Sequence, residues 1–90
     1  SFSKYGKDFQ ESLCQMILQD RPFADQISEV LDIGFLELRY LRVFVQKIFE
    51  YRERYEVHPT YKTMISIIRA DIEDESIQKT LRLISVANKS

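Results

Sequence analysis

The sequence predicts an all-α domain, a small orthogonal or antiparallel bundle of about five helices with one long central helix. Three observations support this prediction. Apolar residues recur at intervals of three and four along most of the chain, as on the buried face of a helix. No stretch shows the strict alternation of apolar and polar residues that indicates a strand. The chain has 90 residues, 44% hydrophobic and 30% charged, which is the length and balance of one globular domain.

We expect one helical domain over residues 7–88, preceded by an N-terminal tail at 1–6 and followed by a frayed C-terminus at 89–90. The first helix is predicted over 8–20, because apolar residues there recur with helical spacing. Its predicted buried stripe consists of Phe9, Leu13, Met16 and Ile17.

The second helix is predicted over 22–31. Pro22 suits the first turn of a helix, since the N–H that proline lacks would have no partner there. Asp20 or Arg21 is then expected near the N-cap. Gly34 follows this helix, and we expect it to adopt the left-handed conformation that often ends a helical segment.

The longest predicted helix runs over 36–56 and would extend about 30 Å. One arc of this helix is apolar and carries Leu41, Phe44, Val45, Ile48, Tyr51 and Tyr55. The opposite arc is polar and carries Arg39, Arg42, Gln46, Glu50 and Glu53. Arg52 interrupts the apolar arc near the C-terminus, where its long stem can reach solvent and its charge suits the helix dipole.

Two shorter helices complete the predicted bundle. Pro59 constrains His58 to an extended conformation, and Thr60 is a good N-cap for a helix over 61–70. The acidic stretch 71–75 is expected to form a turn and the start of the last helix, because carboxylates stabilise a helix N-terminus. The apolar stripe of that last helix is predicted to be Ile77, Leu81 and Ile84.

The composition excludes several kinds of chemistry. The two glycines, Gly6 and Gly34, lie too far apart for either common phosphate-binding motif. His58 is the only histidine, which excludes two-histidine metal motifs, and Cys14 is the only cysteine, which excludes an internal disulfide and a cysteine-based zinc site. We therefore expect no catalytic, cofactor-binding or metal-binding residues and no enzymatic activity.

Charge and hydropathy indicate where the protein acts. The 13 Lys and Arg nearly balance 14 Asp and Glu, giving a net charge of −1. Nucleic-acid-binding domains usually have a basic excess, so we expect no tight DNA binding. No apolar run approaches the length of a membrane span, and no signal-peptide pattern opens the sequence. These features favour a cytoplasmic protein that does not bind membranes.

Several residues have both a structural and a functional interpretation. His58 lies alone before a proline, which favours a turn residue over an acid–base group. Cys14 is expected to be a packing residue and not a reactive thiol. Tyr51 and Tyr55 are expected to cap the core, whereas for Tyr40 the core and the surface are equally favoured.

Three segments carry a resemblance to a known family. They are FQESLCQMILQD at 9–20, EVLDIGFLELRYLRVFVQKIFEY at 29–51 and HPTYKTMISII at 58–68. In this order they resemble the opening helix, the long arginine- and aromatic-bearing helix, and the proline-led turn with its following helix in the N-terminal domain of DnaB-type replicative DNA helicases. The sequence departs from the family pattern at Gln15 and at 56–57, where a small residue and glycines are usual.

The resemblance implies an all-α domain without catalytic residues. In these helicases the domain forms an N-terminal collar by self-association and receives primase and loader proteins, while the ATPase motor is a separate domain. The helicase-binding domain at the C-terminus of primase has a similar fold and is the nearest alternative. A small helix-turn-helix-like DNA-binding regulator and a stand-alone adaptor are the other functions considered.

A collar domain needs a surface that binds a second copy of itself, and the long helix offers one. Val43 is apolar among polar neighbours, and Tyr40 lies at the edge of the apolar arc with Arg39 and Arg42 beside it. Tyrosine and arginine are common anchors of protein interfaces. The predicted interface is therefore Arg39, Tyr40, Arg42 and Val43, and the isolated domain is expected to form a weak dimer with a Kd of roughly 10–1,000 µM.

Overall fold

The structure, a computed structural model, describes residues 2–70 and 76–89, and the regular elements within them are all helical. The α-helices are α1 (Gly6–Gln19), α2 (Arg21–Ile27), α3 (Arg39–Tyr55), α4 (Tyr61–Arg69) and α5 (Ser76–Lys89). Short 3-10 turns lie at Ser3–Tyr5 and Ile33–Phe35. The predicted all-α class with five helices is confirmed. Within the described residues, no helix has both the length and the apolar character that crossing a membrane requires.

The central helix is α3, which packs against α1, α4 and α5. Its predicted phase is confirmed, because the middle of the predicted apolar arc is fully buried, namely Leu41, Phe44, Val45 and Ile48. The helix begins at Arg39, three residues later than predicted, because Leu38 has an extended backbone with φ −88° and ψ 129°. It ends at Tyr55 because Glu56 adopts the left-handed conformation, with φ 59° and ψ 25°.

We expect Glu56→Gly to raise the free energy of unfolding by about 0.5–1 kcal/mol, because glycine adopts the left-handed conformation without the steric penalty of a side chain. The matched control is Glu53→Gly, which places glycine at a right-handed helical position in the last turn of the same helix and should lower that free energy by up to about 1 kcal/mol. Urea unfolding followed by circular dichroism measures both. A loss of stability in Glu56→Gly equal to that in Glu53→Gly would contradict the left-handed cap.

The buried face of α1 differs from the predicted stripe. Phe9 and Met16 were expected inside the core, but both are exposed, and Ile17 alone of the predicted four is fully buried. The residues of α1 that are buried are Gln10, Cys14, Ile17 and Leu18. The reason for the difference is the polar Gln10, whose amide has hydrogen-bond partners inside the fold and so tolerates burial.

The second helix begins at Arg21, one residue before the predicted start, and ends earlier than predicted. The N-cap is Asp20, whose Oδ1 accepts a hydrogen bond from the N–H of Phe23 at 3.1 Å. The helix ends at Ile27, because the chain then turns and the N–H groups of residues 30 and 31 bond to the Ile27 carbonyl. The prediction of a left-handed Gly34 is wrong: this residue lies in a 3-10 turn, where its N–H donates to Asp32 Oδ1 at 2.8 Å.

The last two helices follow the predicted signals. Thr60 is the N-cap of α4, and its Oγ1 accepts a hydrogen bond from the N–H of Thr63 at 3.0 Å. Ile84 in α5 is fully buried, as predicted, and Leu81 is half-buried. The predicted acidic turn at 71–75, the side chain of Ile77 and the end of the frayed terminus at residue 90 lie outside the described residues.

Candidate functional site

An exposed group of aromatic rings lies where the chain enters α1. We call it the aromatic patch, and it consists of Phe2, Tyr5, Phe9 and Phe35. The centroids of adjacent rings lie 4.9 to 6.3 Å apart. Tyr5, Phe9 and Phe35 are 52%, 44% and 43% exposed, so these side chains are in contact with water as well as with other rings of the patch.

Backbone hydrogen bonds hold the aromatic patch in place. The N–H of Phe2 donates to the carbonyl of Phe35 at 3.0 Å, and the N–H of Tyr5 donates to the carbonyl of Phe2 at 2.9 Å. Gly6 joins this turn to α1 with φ +81°, a conformation that a side chain would strain. The segment expected to be a tail therefore includes a 3-10 turn, and Phe2, just before that turn, packs against Phe35.

A buried glutamine connects the aromatic patch to the rest of the fold. Gln10 is almost fully buried, and its Nε2 donates to the Phe2 carbonyl at 3.3 Å. Its Oε1 accepts from the backbone N–H of Glu37 at 2.9 Å. A single side chain thus fixes both segments that carry the aromatic rings, which means that the patch is ordered before any partner binds.

The structure places the four predicted interface residues in different environments. Tyr40 is only 5% exposed, and its hydroxyl donates to the carboxylate of Glu11. Arg42 is half-buried, Val43 is half-buried and Arg39 is exposed. Tyr40 therefore offers little surface to a partner, and the interface at Arg39, Arg42 and Val43 stays a prediction. Burial first, and then the hydrogen bond to Glu11, raise the pKa of the Tyr40 phenol, which keeps it a neutral donor.

Arg42 acts on the backbone that follows the aromatic patch. Its Nη1 donates to the carbonyl of Leu36 at 2.9 Å and to that of Glu37 at 2.7 Å. These carbonyls come directly after Phe35, so Arg42 and Gln10 hold the same short segment from two sides. The arginine that the sequence placed in an interface therefore supports the fold.

A polar cluster joins four parts of the chain at the far end of α3. The guanidinium of Arg52 donates to Asp25 in α2 and contacts Nδ1 of His58 at 2.7 Å. Nε2 of His58 lies 2.6 Å from the carbonyl of Leu18 at the end of α1. A carbonyl only accepts, so Nε2 carries the proton and Nδ1 accepts from Arg52. The expectation that Arg52 reaches into solvent is wrong, because it is bound by these two partners.

The ion pair predicts a specific acid response. The hydrogen bond from Arg52, and then the charges of Arg52 and Arg21, hold the pKa of Asp25 below its ordinary 3.8. A carboxyl with a depressed pKa in the folded state contributes stability above pH 3.8, and this contribution is lost as the pH falls through the folded-state value. We expect Asp25→Asn to flatten the loss of stability below pH 4, measured as urea midpoints from pH 6 to 2. The control Asp8→Asn, at an exposed carboxylate of α1, should keep the wild-type slope; a wild-type slope in Asp25→Asn would contradict the role of the pair.

Cys14 has the environment of a packing residue. It is fully buried, and burial first, with the nearby Glu11 second, raises the pKa of its thiol to about 12. The thiol is therefore protonated and unreactive at neutral pH. Among the described residues, no group of three or more His, Cys, Asp or Glu side chains is placed to hold a metal ion.

A second exposed aromatic surface lies between α3 and α4. The rings of Tyr51 and Tyr55 contact each other at a tilted angle with a centroid distance of 4.6 Å, and with Ile67 they line a cleft of about 220 Å³. The polar lining residues are Lys47, Glu50 and Arg54. We call this site the tyrosine cleft. The prediction that Tyr55 lies in the core is wrong, since its side chain is 54% exposed, while Tyr51 is half-buried.

No family model, curated protein or solved structure matches this chain. The aromatic patch is apolar and formed by the start of the described chain together with Phe35, whereas the tyrosine cleft combines aromatic rings with cations. A sequence signal for the patch exists, namely three aromatic residues at positions 2, 5 and 9, around Gly6.

Proposed function

We propose that this chain is a non-catalytic helical protein-interaction domain that self-associates. Within that proposal it acts as the N-terminal collar domain of a replicative DNA helicase, docks primase or a loader protein, and works in the cytoplasm of a bacterial or phage-infected cell. The observation that supports self-association is the exposed aromatic patch. The resemblance of the segments 9–20, 29–51 and 58–68 to the helicase domain supports the more specific role.

The composition of the aromatic patch favours a protein interface. Contiguous exposed apolar surfaces often mark binding sites. Aromatic residues are also enriched at the centre of interfaces. The rings are held by backbone hydrogen bonds and by Gln10, so little conformational entropy is lost when a partner covers them.

The expected affinity follows from the size of the patch. Covering its exposed rings in a symmetric pair would remove on the order of 500 Å² of apolar surface from water, worth about 12 kcal/mol. The loss of translational and rotational freedom on association costs about 4–15 kcal/mol. Stable interfaces also usually bury at least about 1,200 Å². We therefore expect a weak dimer, with a Kd of roughly 10–1,000 µM, which a multivalent parent protein would strengthen by avidity.

Sedimentation equilibrium between 10 µM and 1 mM tests this proposal. The wild-type chain should show an average mass that rises above 10.7 kDa with concentration, and Phe9→Asp should abolish the rise because it places a charge within the patch. The control is Val30→Asp, which adds the same charge at a site that is 77% exposed and outside the patch. A constant monomer mass, or a Phe9→Asp variant that dimerises like the wild type, would contradict the proposal.

The DNA-binding alternative is not favoured by the described side chains. The net charge is −1, so little counterion release would accompany binding. Two arginines of the central helix, Arg42 and Arg52, are bound to groups of the chain itself. These contacts leave fewer cations of the helix for the phosphate contacts that a recognition helix needs.

A further inference from the structure

We propose that the tyrosine cleft binds an acidic peptide segment of a partner protein, with one apolar side chain of that segment in the cleft and flanking carboxylates on Lys47 and Arg54. This inference depends on the proposed function as an interaction domain and specifies the chemistry of the partner. It concerns a surface separate from the aromatic patch, because the two share no residue.

The dimensions of the cleft fit one side chain. Its volume of about 220 Å³ is below the roughly 300–1,000 Å³ of sites that enclose drug-sized molecules. Tyr51 and Tyr55 provide ring surface from α3, and Ile67 provides aliphatic surface from α4. An aromatic or branched aliphatic side chain would find apolar contacts on both helices, while the tyrosine hydroxyls remain available for hydrogen bonds at the rim.

The charges around the cleft determine which sign of charge a partner should carry. Among the described residues, neither Lys47 nor Arg54 forms an ion pair. The guanidinium of Arg54 lies 5.5 Å from the centroid of the Tyr55 ring, a cation–π distance that keeps it beside the cleft. These two cations are therefore available to carboxylates of a partner.

The single carboxylate in the lining does not cancel this preference. Glu50 Oε2 accepts a hydrogen bond from Nε2 of Gln46 at 3.3 Å, one turn earlier on α3. The lining thus has two cations against one carboxylate, in a chain whose overall charge is −1. A local positive surface on a slightly negative protein selects acidic partners and repels basic ones.

The experiment uses a fluorescein-labelled decapeptide with eight glutamates around a central Leu-Phe pair, and a second peptide with lysines in place of the glutamates. Fluorescence anisotropy with the 90-residue chain should give a Kd of roughly 0.1–1 mM for the acidic peptide at low salt. Binding should weaken several-fold between 50 and 200 mM NaCl. The lysine peptide should bind at least about tenfold more weakly.

Matched variants locate the site. Arg54→Glu and Lys47→Glu should each weaken binding of the acidic peptide about tenfold or more. Tyr55→Ala should weaken it about fivefold, and the protein should stay folded because this side chain is exposed. The control Lys7→Glu makes the same change in net charge on α1, which does not line the cleft, and should change binding less than twofold. Equal losses in Lys7→Glu and Arg54→Glu, or no acidic-peptide binding at 2 mM protein, would overturn the proposal.

Two further measurements separate this inference from self-association. Phe9→Asp should keep wild-type peptide affinity, and Arg54→Glu should keep the wild-type concentration dependence of mass in sedimentation. Loss of self-association in Arg54→Glu would assign the cleft to a second copy of the chain and overturn the peptide proposal. If the wild type is a monomer and still binds the acidic peptide through Arg54, self-association fails while the cleft proposal stands.

Discussion

Phe44→Ala is expected to lower the free energy of unfolding by about 3–5 kcal/mol. Phe44 is fully buried in the middle of α3, where it belongs to the hydrophobic core with residues from α1, α4 and α5. Removing its ring eliminates the apolar contacts and leaves a cavity that the surrounding helices can only partly fill. A domain of this size has about 5–10 kcal/mol of total stability, so the variant should be close to unfolding at 25 °C.

The matched control for this prediction is Phe9→Ala. The same atoms are removed, but about half of the Phe9 side chain is exposed to water. The free energy of unfolding should therefore fall by only about 1 kcal/mol or less. Urea unfolding followed by circular dichroism gives both values. Equal urea midpoints for the two variants would show that α3 does not present Phe44 to the centre of the core.

Gln10→Met is expected to lower the free energy of unfolding by about 1–3 kcal/mol. Methionine has a similar length and is apolar, so the volume is nearly preserved while both hydrogen bonds of the buried amide are lost. The N–H of Glu37 and the carbonyl of Phe2 then lose their side-chain partner. The same variant should also loosen the aromatic patch, because the segments that carry Phe2 and Phe35 are no longer fixed to α1.

Gln19→Met provides the comparison for Gln10→Met. Gln19 is exposed at the end of the same helix, so the expected change is within about 0.5 kcal/mol. Unfolding in urea measures stability, and near-ultraviolet circular dichroism reports the environment of the tyrosine and phenylalanine rings. A Gln10→Met protein that is as stable as Gln19→Met would rule out the bridging role of this amide.

The parts of the fold that local chemistry determines could be predicted from the sequence. Asp20 and Thr60 cap their helices through side-chain oxygens three residues from the N–H groups they bind, a signal contained within one turn. The apolar arc of α3 is likewise a property of consecutive residues, and Phe44 lies where its periodicity places it. These features depend on no distant partner.

The parts that depend on distant partners could not be predicted. Gln10 is buried because it binds Glu37, 27 residues away, and that burial turns Phe9 towards solvent. Tyr40 is buried because its hydroxyl reaches Glu11, 29 residues away. From the sequence alone, a polar residue is predicted to be exposed, because the distant hydrogen-bond partner that allows its burial is not apparent.

The candidate site illustrates the same limit. Residue types alone cannot distinguish a binding anchor from a side chain whose hydrogen bonds lie within its own chain, as those of Tyr40 and Arg42 do. The aromatic patch was missed because positions 1–6 were expected to be a tail. The rings of Phe2, Tyr5 and Phe9 are close in the sequence, whereas Phe35 joins them because its backbone pairs with that of Phe2, 33 positions away.

The central claim, self-association through the aromatic patch, is tested most directly by recording ¹H–¹⁵N correlation spectra of the ¹⁵N-labelled chain while diluting it from 1 mM to 10 µM. Weak dimers in fast exchange shift the amide signals at their interface. We predict concentration-dependent shifts for Tyr5, Phe9 and Phe35 and unchanged signals along α4. Spectra that do not change with concentration, or shifts confined to Arg39 and Val43, would contradict the claim.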